Sequence, residues 1–210
     1  MSYLLRVALP DVPGSLGRLA SAIGSAGGNI DAIEIVERSH DGRAVDDVFL
    51  AAEQGVMPDS IISACTSLEG VEVLWISRYG AGSNLTRDLE VVEAMTQAPE
   101  LARDTLVDLL PATFVVDWAV RVRREGDQAK VLHGSPAAPS EFPEDIHWPA
   151  ELLRGRRIEV PERLSELLVA ACVLDGEEAV VVARRGGPEI LDSEIARLGH
   201  LAALAASIDR

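Results

Sequence analysis

Between Tyr3 and Tyr79 the hydrophobic period switches repeatedly between 2 and about 3.6 residues, and Gly, Pro or Asp-Gly punctuates the switches. Tyr3, Leu5, Val7 and Leu9 alternate, as one face of a strand does. Asp11-Val12-Pro13-Gly14 breaks that run. Pro13 suits a first helical turn, where its missing N–H costs nothing. Leu16, Leu19, Ala20 and Ile23 follow at helical spacing, and Gly27-Gly28 stops the helix. Asn29 to Arg38 reads as a second strand, joined through Asp41-Gly42 to a third over Ala44 to Ala52. Pro58 opens a second helix with Ile61, Ile62, Cys65 and Leu68 on one face, and Glu69-Gly70 ends it. Val71, Val73 and Trp75 alternate along a fourth strand that runs to about Tyr79.

This order predicts a ferredoxin-like βαββαβ domain over residues 1–80: one antiparallel sheet with two helices on one face. Gly80-Ala81-Gly82-Ser83 reads as a hinge. A short amphipathic helix carrying Leu85, Leu89 and Val92 completes a linker over 81–97. Residues 98–210 predict a second, α+β domain. Its first helix starts at Pro99 and turns Ala102, Leu106, Leu109 and Leu110 inward. Strands are expected at Ala112 to Arg123 and Lys130 to His133, around a turn at Glu125-Gly126-Asp127. Gly134 to Trp148 reads as a loop. Val169 to Leu174 and Ala179 to Ala183 form a hairpin around Asp175-Gly176. A last helix from Asp192 presents Ile195, Leu198, Leu201 and Ile208.

Composition narrows the function. A chain of 210 residues holds one large domain or two small ones. The formal net charge is −15, which repels phosphate backbones and anionic membrane surfaces. Aromatic residues are 4 %, too few for platforms that stack single strands. Neither nucleic acid nor a membrane is therefore an expected partner. The start Met1-Ser2-Tyr3-Leu4-Leu5-Arg6 lacks a signal-peptide pattern, and no apolar run reaches the ~18 residues of a span. Cys65 and Cys172 sit far apart in apolar surroundings, as buried thiols of a reduced cytoplasm do. A cytoplasmic location is the expectation.

Motifs of catalysis are sparse. His40, His133, His147 and His200 show no metal-type spacing, and two isolated cysteines make no zinc knuckle. His133 and His147 flank a loop with Glu144 and Trp148; surface or packed histidines are the ordinary reading, a pocket the sharper one. Gly24, Gly27 and Gly28 follow a helix rather than a strand, unlike a dinucleotide loop. The adjacent Asp46 and Asp47 read as a solvated edge, and Arg184-Arg185-Gly186-Gly187 as a hairpin exit. The sequence calls for no metal, no cofactor and no catalytic residue, and the expectation is a protein that is not an enzyme.

Asp11-Val12-Pro13-Gly14-Ser15-Leu16, followed by Ala26-Gly27-Gly28-Asn29-Ile30, resembles the ACT domain family in order and spacing. The resemblance implies side-by-side homodimers that bind an amino acid where two domains meet. It implies contacts from Asp11, Val12, Pro13, Gly14, Ser15 and Leu16, and from Asn29 and Ile30. The chemistry of these residues suits that role. N–H groups at a helix start favour a carboxylate, Gly14 lets backbone approach, Asp11 accepts from an ammonium, and Asn29 both donates and accepts. The same residues also serve as a plain helix start and turn, and many ACT-like modules act only as dimerisation units. Gly176 to Arg185, Pro188, and Asp192-Ser193-Glu194-Ile195 with the small-residue helix to Ile208 resemble a divergent GAF domain, with no site residue that carries over. The expectation is an allosteric regulatory protein that senses an amino acid at its ACT-like interface and signals to the GAF-like domain. The alternative is a ligand-free oligomerisation module that regulates a partner enzyme or transporter.

Overall fold

The computed structural model describes residues 1–78, 84–126, 128–143, 146 and 155–209. The expected hinge at Gly80 to Ser83, Asp127 of the expected turn, and Glu144, His147 and Trp148 lie outside the described residues. The chain divides into two units, Met1–Ser83 and Asn84–Arg210.

The first unit runs β1 (Ser2–Pro10), α1 (Ser15–Ser25), β2 (Gly28–Arg38), β3 (Arg43–Ala52), α2 (Pro58–Thr66) and β4 (Glu72–Arg78). Its sheet has the order β2-β3-β1-β4, with every neighbouring pair antiparallel. The alternating residues Tyr3, Leu5, Val7 and Leu9 of β1 pack with Leu19 and Ile23 of α1. Val48 and Leu50 of β3 and Ile61 and Cys65 of α2 complete that core. Each Leu or Ile buried there contributes roughly 1.5–3 kcal/mol. Gly28 is required where β2 leaves α1, because a Cβ there would meet Ile23 Cγ2 at 2.6 Å.

The second unit runs α3 (Asn84–Gln97), α4 (Ala102–Phe114), β5 (Trp118–Glu125), β6 (Gln128–Gly134), β7 (Gly155–Ile158), β8 (Leu167–Asp175), β9 (Glu178–Arg185) and α5 (Asp192–Ile208). The strands form one antiparallel sheet, β6-β5-β9-β8-β7. Its central strands are apolar on both faces. Ala170, Cys172, Val180 and Val182 pack with Val91, Met95, Leu106, Leu110 and Leu198 of the helices. Val169, Ala171, Val181 and Ala183 pack instead with Trp118, Phe142 and Ile146. Burial on both faces explains why β8 and β9 read as near-continuous apolar runs.

Three expectations change. The strand expected from Ala112 starts at Trp118, because α4 continues through Pro111 to Phe114. Its end is held by Arg184, whose guanidinium donates to the carbonyls of Phe114 (2.9 Å), Val115 (3.1 Å) and Pro188 (3.2 Å). The first two would otherwise be orphaned at the helix terminus. The helix expected in the linker is longer and belongs to the second unit, burying Val91 and Met95 while Leu89 stays 62 % exposed. Of the residues expected on its apolar face, Val92 packs against the core as expected and Leu89 does not. The short β7 was not foreseen, since Gly-Arg-Arg-Ile carries almost no alternation. Among the described residues, no helix is long and apolar enough to cross a membrane.

Candidate functional site

The loop from β1 to α1 is built by its glycine. Gly14 sits at φ +89°, a left-handed conformation that L side chains rarely adopt, and turns the chain into α1. Asp11 N–H donates to Gly42 O at 2.8 Å, and Val12 N–H to Pro10 O at 2.9 Å, so the loop is pinned to the β2–β3 turn. Arg18 N–H donates to Gly14 O at 3.0 Å, the first bond of the helix. No side chain caps α1. The N–H groups of Leu16 and Gly17 head the helix without an intrahelical acceptor, at the positive end of its dipole.

The turn encloses a depression of about 370 Å³. Asp11, Val12, Pro13, Gly14, Ser15 and Leu16 line one side of it, and Ile35, Arg38, Ala44 and Asp46 the other. Ser15 is buried; its Oγ accepts from Arg18 at 3.2 Å, which leaves its own proton to donate. Asp11 is ion-paired at the exposed rim with Arg38, at 3.2 Å. Val12 is 52 % and Ile35 41 % exposed, an apolar lip beside edge strand β2.

The acids expected at a solvated edge are both buried, because β3 is an interior strand between β2 and β1. Consecutive strand residues point to opposite faces, so the two meet different fates. Asp47 lies opposite Arg6 and takes a two-pronged bond from it, Nε to Oδ1 at 2.7 Å and Nη2 to Oδ2 at 2.8 Å. Asp46 faces the depression at 1 % exposure, and its Oδ1 has no hydrogen-bond partner. Burial raises its pKa above the ordinary value; the nearby Asp11 adds to that, Arg38 opposes it, and Asp47 adds again.

Asn29 and Ile30 lie elsewhere. Asn29 pairs with Ala51, level with Ser2, whereas Arg38 pairs with Ala44, level with Leu9. At about 3.3 Å per residue the two ends of β2 are roughly 25–30 Å apart. Within one chain the structure thus gathers Asp11 to Leu16 and leaves Asn29 exposed at the far end of the sheet. Ile30 is half-buried against the core of the first unit. Sequence reasoning missed Ile35, Arg38 and Asp46. The last left part of a signal in the sequence, an acid pair inside the apolar run Ala44 to Ala52; that an arginine faces only one of the two emerges from strand pairing.

A larger depression of about 770 Å³ in the second unit is lined by Arg156, Arg157, Asp192, Ile195, Gly199 and His200, among others. Arg157 there donates to Asp192 at 2.6 Å, on the surface. His133 contacts Asp108 at 2.9 Å. Arg184, read as part of a hairpin exit, is buried and bonded to Glu194 at 3.0 Å. Among the described residues no group of three or more His, Cys, Asp or Glu is placed to hold a metal.

No family model matches the chain, and no curated protein matches it. Solved structures give weak likenesses. The GAF domain of a protein assigned as a sensor histidine kinase from Pseudomonas syringae pv. tomato aligns at 17 % identity and TM-score 0.42, over 59 % of this chain and 83 % of that one. The GAF domain of an Acinetobacter phosphoenolpyruvate-protein phosphotransferase aligns at 11 % and 0.44, over 62 % and 94 %. A formyltetrahydrofolate deformylase from Pseudomonas putida KT2440 aligns at 8 % and 0.30, over 47 % and 39 %. At these scores none of the matches fixes a fold or a function.

Proposed function

We propose that this protein is a non-enzymatic regulatory protein that binds an amino acid in the depression beside Gly14 and signals through its second unit. The observation that carries this is the chemistry of the depression. A helix N-terminus with free N–H groups borders it on one side, and a buried carboxylate on the other. A zwitterion presents the matching pair of charges.

The ACT-like reading of the first unit draws support from its βαββαβ order and its sheet order β2-β3-β1-β4, the ferredoxin-like arrangement. A homodimer accounts for Asn29. Edge strand β2, paired antiparallel with a second copy about a two-fold axis near Ile33, sets Asn29 of that copy beside Arg38 and the Asp11 loop. Val12, Leu16, Ile33 and Ile35 are the exposed apolar residues such a contact would cover. The second unit reads as GAF-like: an antiparallel sheet whose helices lie on one face. Signalling requires that two arrangements of the chain bind the amino acid with different affinity. Hydrogen exchange across residues 80–95 should change on binding; unchanged exchange there rejects the coupling.

Thermal shift of the full chain against the twenty amino acids and a set of nucleotides tests the function. Binding at a hundredfold excess over Kd stabilises the fold by about 2.7 kcal/mol. One amino acid or a related few should raise the melting temperature. Asn29→Ala should weaken the response while leaving the fold intact. A response to nucleotides alone moves the site to the second unit, and no response to any amino acid favours the interaction module that regulates a partner enzyme or transporter.

A further inference from the structure

We infer that Asp46 is the ammonium anchor of this depression, the group that selects occupants carrying a protonated amine. The inference rests on the amino-acid reading of the same site and names the residue that sets its specificity. Asp46 belongs to interior strand β3, opposite Ile35 of β2 and Val7 of β1. Neither neighbour offers a hydrogen bond. Among the described residues, Asp46 is the carboxylate whose buried oxygen has neither a hydrogen bond nor an ion pair; the buried Asp104 Oδ1, by contrast, lies 2.9 Å from Arg121. A buried anion without a partner is costly, and proteins satisfy such groups with a donor or a counter-ion. Here the missing counter-ion has a place to stand, because Asp46 lines an open depression rather than a closed core.

The surroundings choose the kind of cation. Asp11 and Asp46 are the carboxylates of the lining, too few for the 6–8 oxygens a calcium ion takes or the octahedron of magnesium. Arg38 is bonded to Asp11 at the rim and does not bond Asp46. An ammonium needs few acceptors and donates up to three hydrogen bonds, so it suits one buried carboxylate with a second beyond it. The pKa of Asp46 agrees in direction: burial and Asp11 disfavour its charge, and an ammonium would restore it. Asp11, the acceptor expected from sequence, is already held by Arg38, which leaves the deeper acid to bind.

The test is thermal shift and isothermal titration of the full chain with the twenty free amino acids, their amides and their N-acetyl derivatives. Wild type, Asp46→Asn, Asp46→Ala and Asp11→Ala are compared. Free amino acids and, more weakly, amides should stabilise wild type, while N-acetyl forms, which lack the ammonium, should not. Asp46→Asn should lose about tenfold or more in affinity while melting no lower than wild type, as removal of a charge-assisted bond predicts. Asp46→Ala serves if the Asn variant does not fold. Retention of affinity within about twofold in the Asp46 variants, or equal binding of N-acetyl forms, overturns the anchor and leaves the sensor standing. Amides that bind in an Asp46-dependent way while no free amino acid does keep the anchor and reject the amino-acid sensor. No response from wild type to any of these probes rejects both.

Discussion

Both units bury acids beneath their sheets, and they treat them differently. In the second unit Glu178 is held by Arg123 at 2.6 Å and by Arg103 and Arg121 at 3.1 Å each. Burial pushes its pKa up, but the bond from Arg123 and the charges of Arg121 and Arg103 outweigh burial and leave it lowered. Glu194 accepts from Arg184 at 3.0 Å and from the backbone of Leu191 at 2.8 Å. In the first unit Asp47 is matched in the same manner by Arg6, and Asp46 is not. Where an acid serves the fold, the fold supplies the arginine. Where the arginine is missing and a depression takes its place, the acid is available to something from outside.

The largest effect should come from breaking a matched pair. Arg184→Met takes the guanidinium away from buried Glu194 and frees the carbonyls of Phe114 and Val115, so urea denaturation should show a loss of about 3–5 kcal/mol. An unchanged midpoint would place that network outside the stability of the fold. Gly28→Ala comes next. Its new Cβ meets Ile23, at a cost of about 1–3 kcal/mol read in the same way, and a neutral result would mean that β2 starts differently.

Asp46→Asn should move the other way, stabilising the amino-acid-free protein by about 1 kcal/mol at neutral pH. The sign follows from linkage. The folded pKa of Asp46 lies above its ordinary value of 3.8, so its contribution to stability is fully present below that value and lost as pH rises through the folded value. The gain from Asn should therefore vanish in melts near pH 3.5. Glu178 behaves oppositely: its folded pKa is lowered, so its contribution is present above 4.5 and lost as pH falls through the folded value. The smallest effect is at the rim, where Arg38→Ala removes an exposed pair and should cost under about 1 kcal/mol.

The same contrast explains what the sequence disclosed. The element order of the first unit was legible because its signals are local: Gly14, Gly28 and Pro58 stand at the boundaries they create, while Pro13, expected in the first helical turn, lies just before the cap of α1. The loop Asp11 to Leu16 was legible for the same reason. Asp46 was not, because its significance depends on which face it takes and on the absence of an arginine across the register, which only strand pairing reveals. Asn29 was placed with the loop by resemblance, yet one strand length separates them in a single chain. In the second unit the end of α4 depends on Arg184, a residue about 70 positions later, so the strand expected from Ala112 was placed too early.

The most direct measurement is a carboxyl-carbon NMR titration of Asp46, free and with saturating amounts of the amino acid that raises the melting temperature most. The account predicts a pKa above the ordinary carboxylate range in the free protein that falls on binding, as an ammonium takes the place of the missing arginine. The same titration curve with and without the amino acid would contradict it.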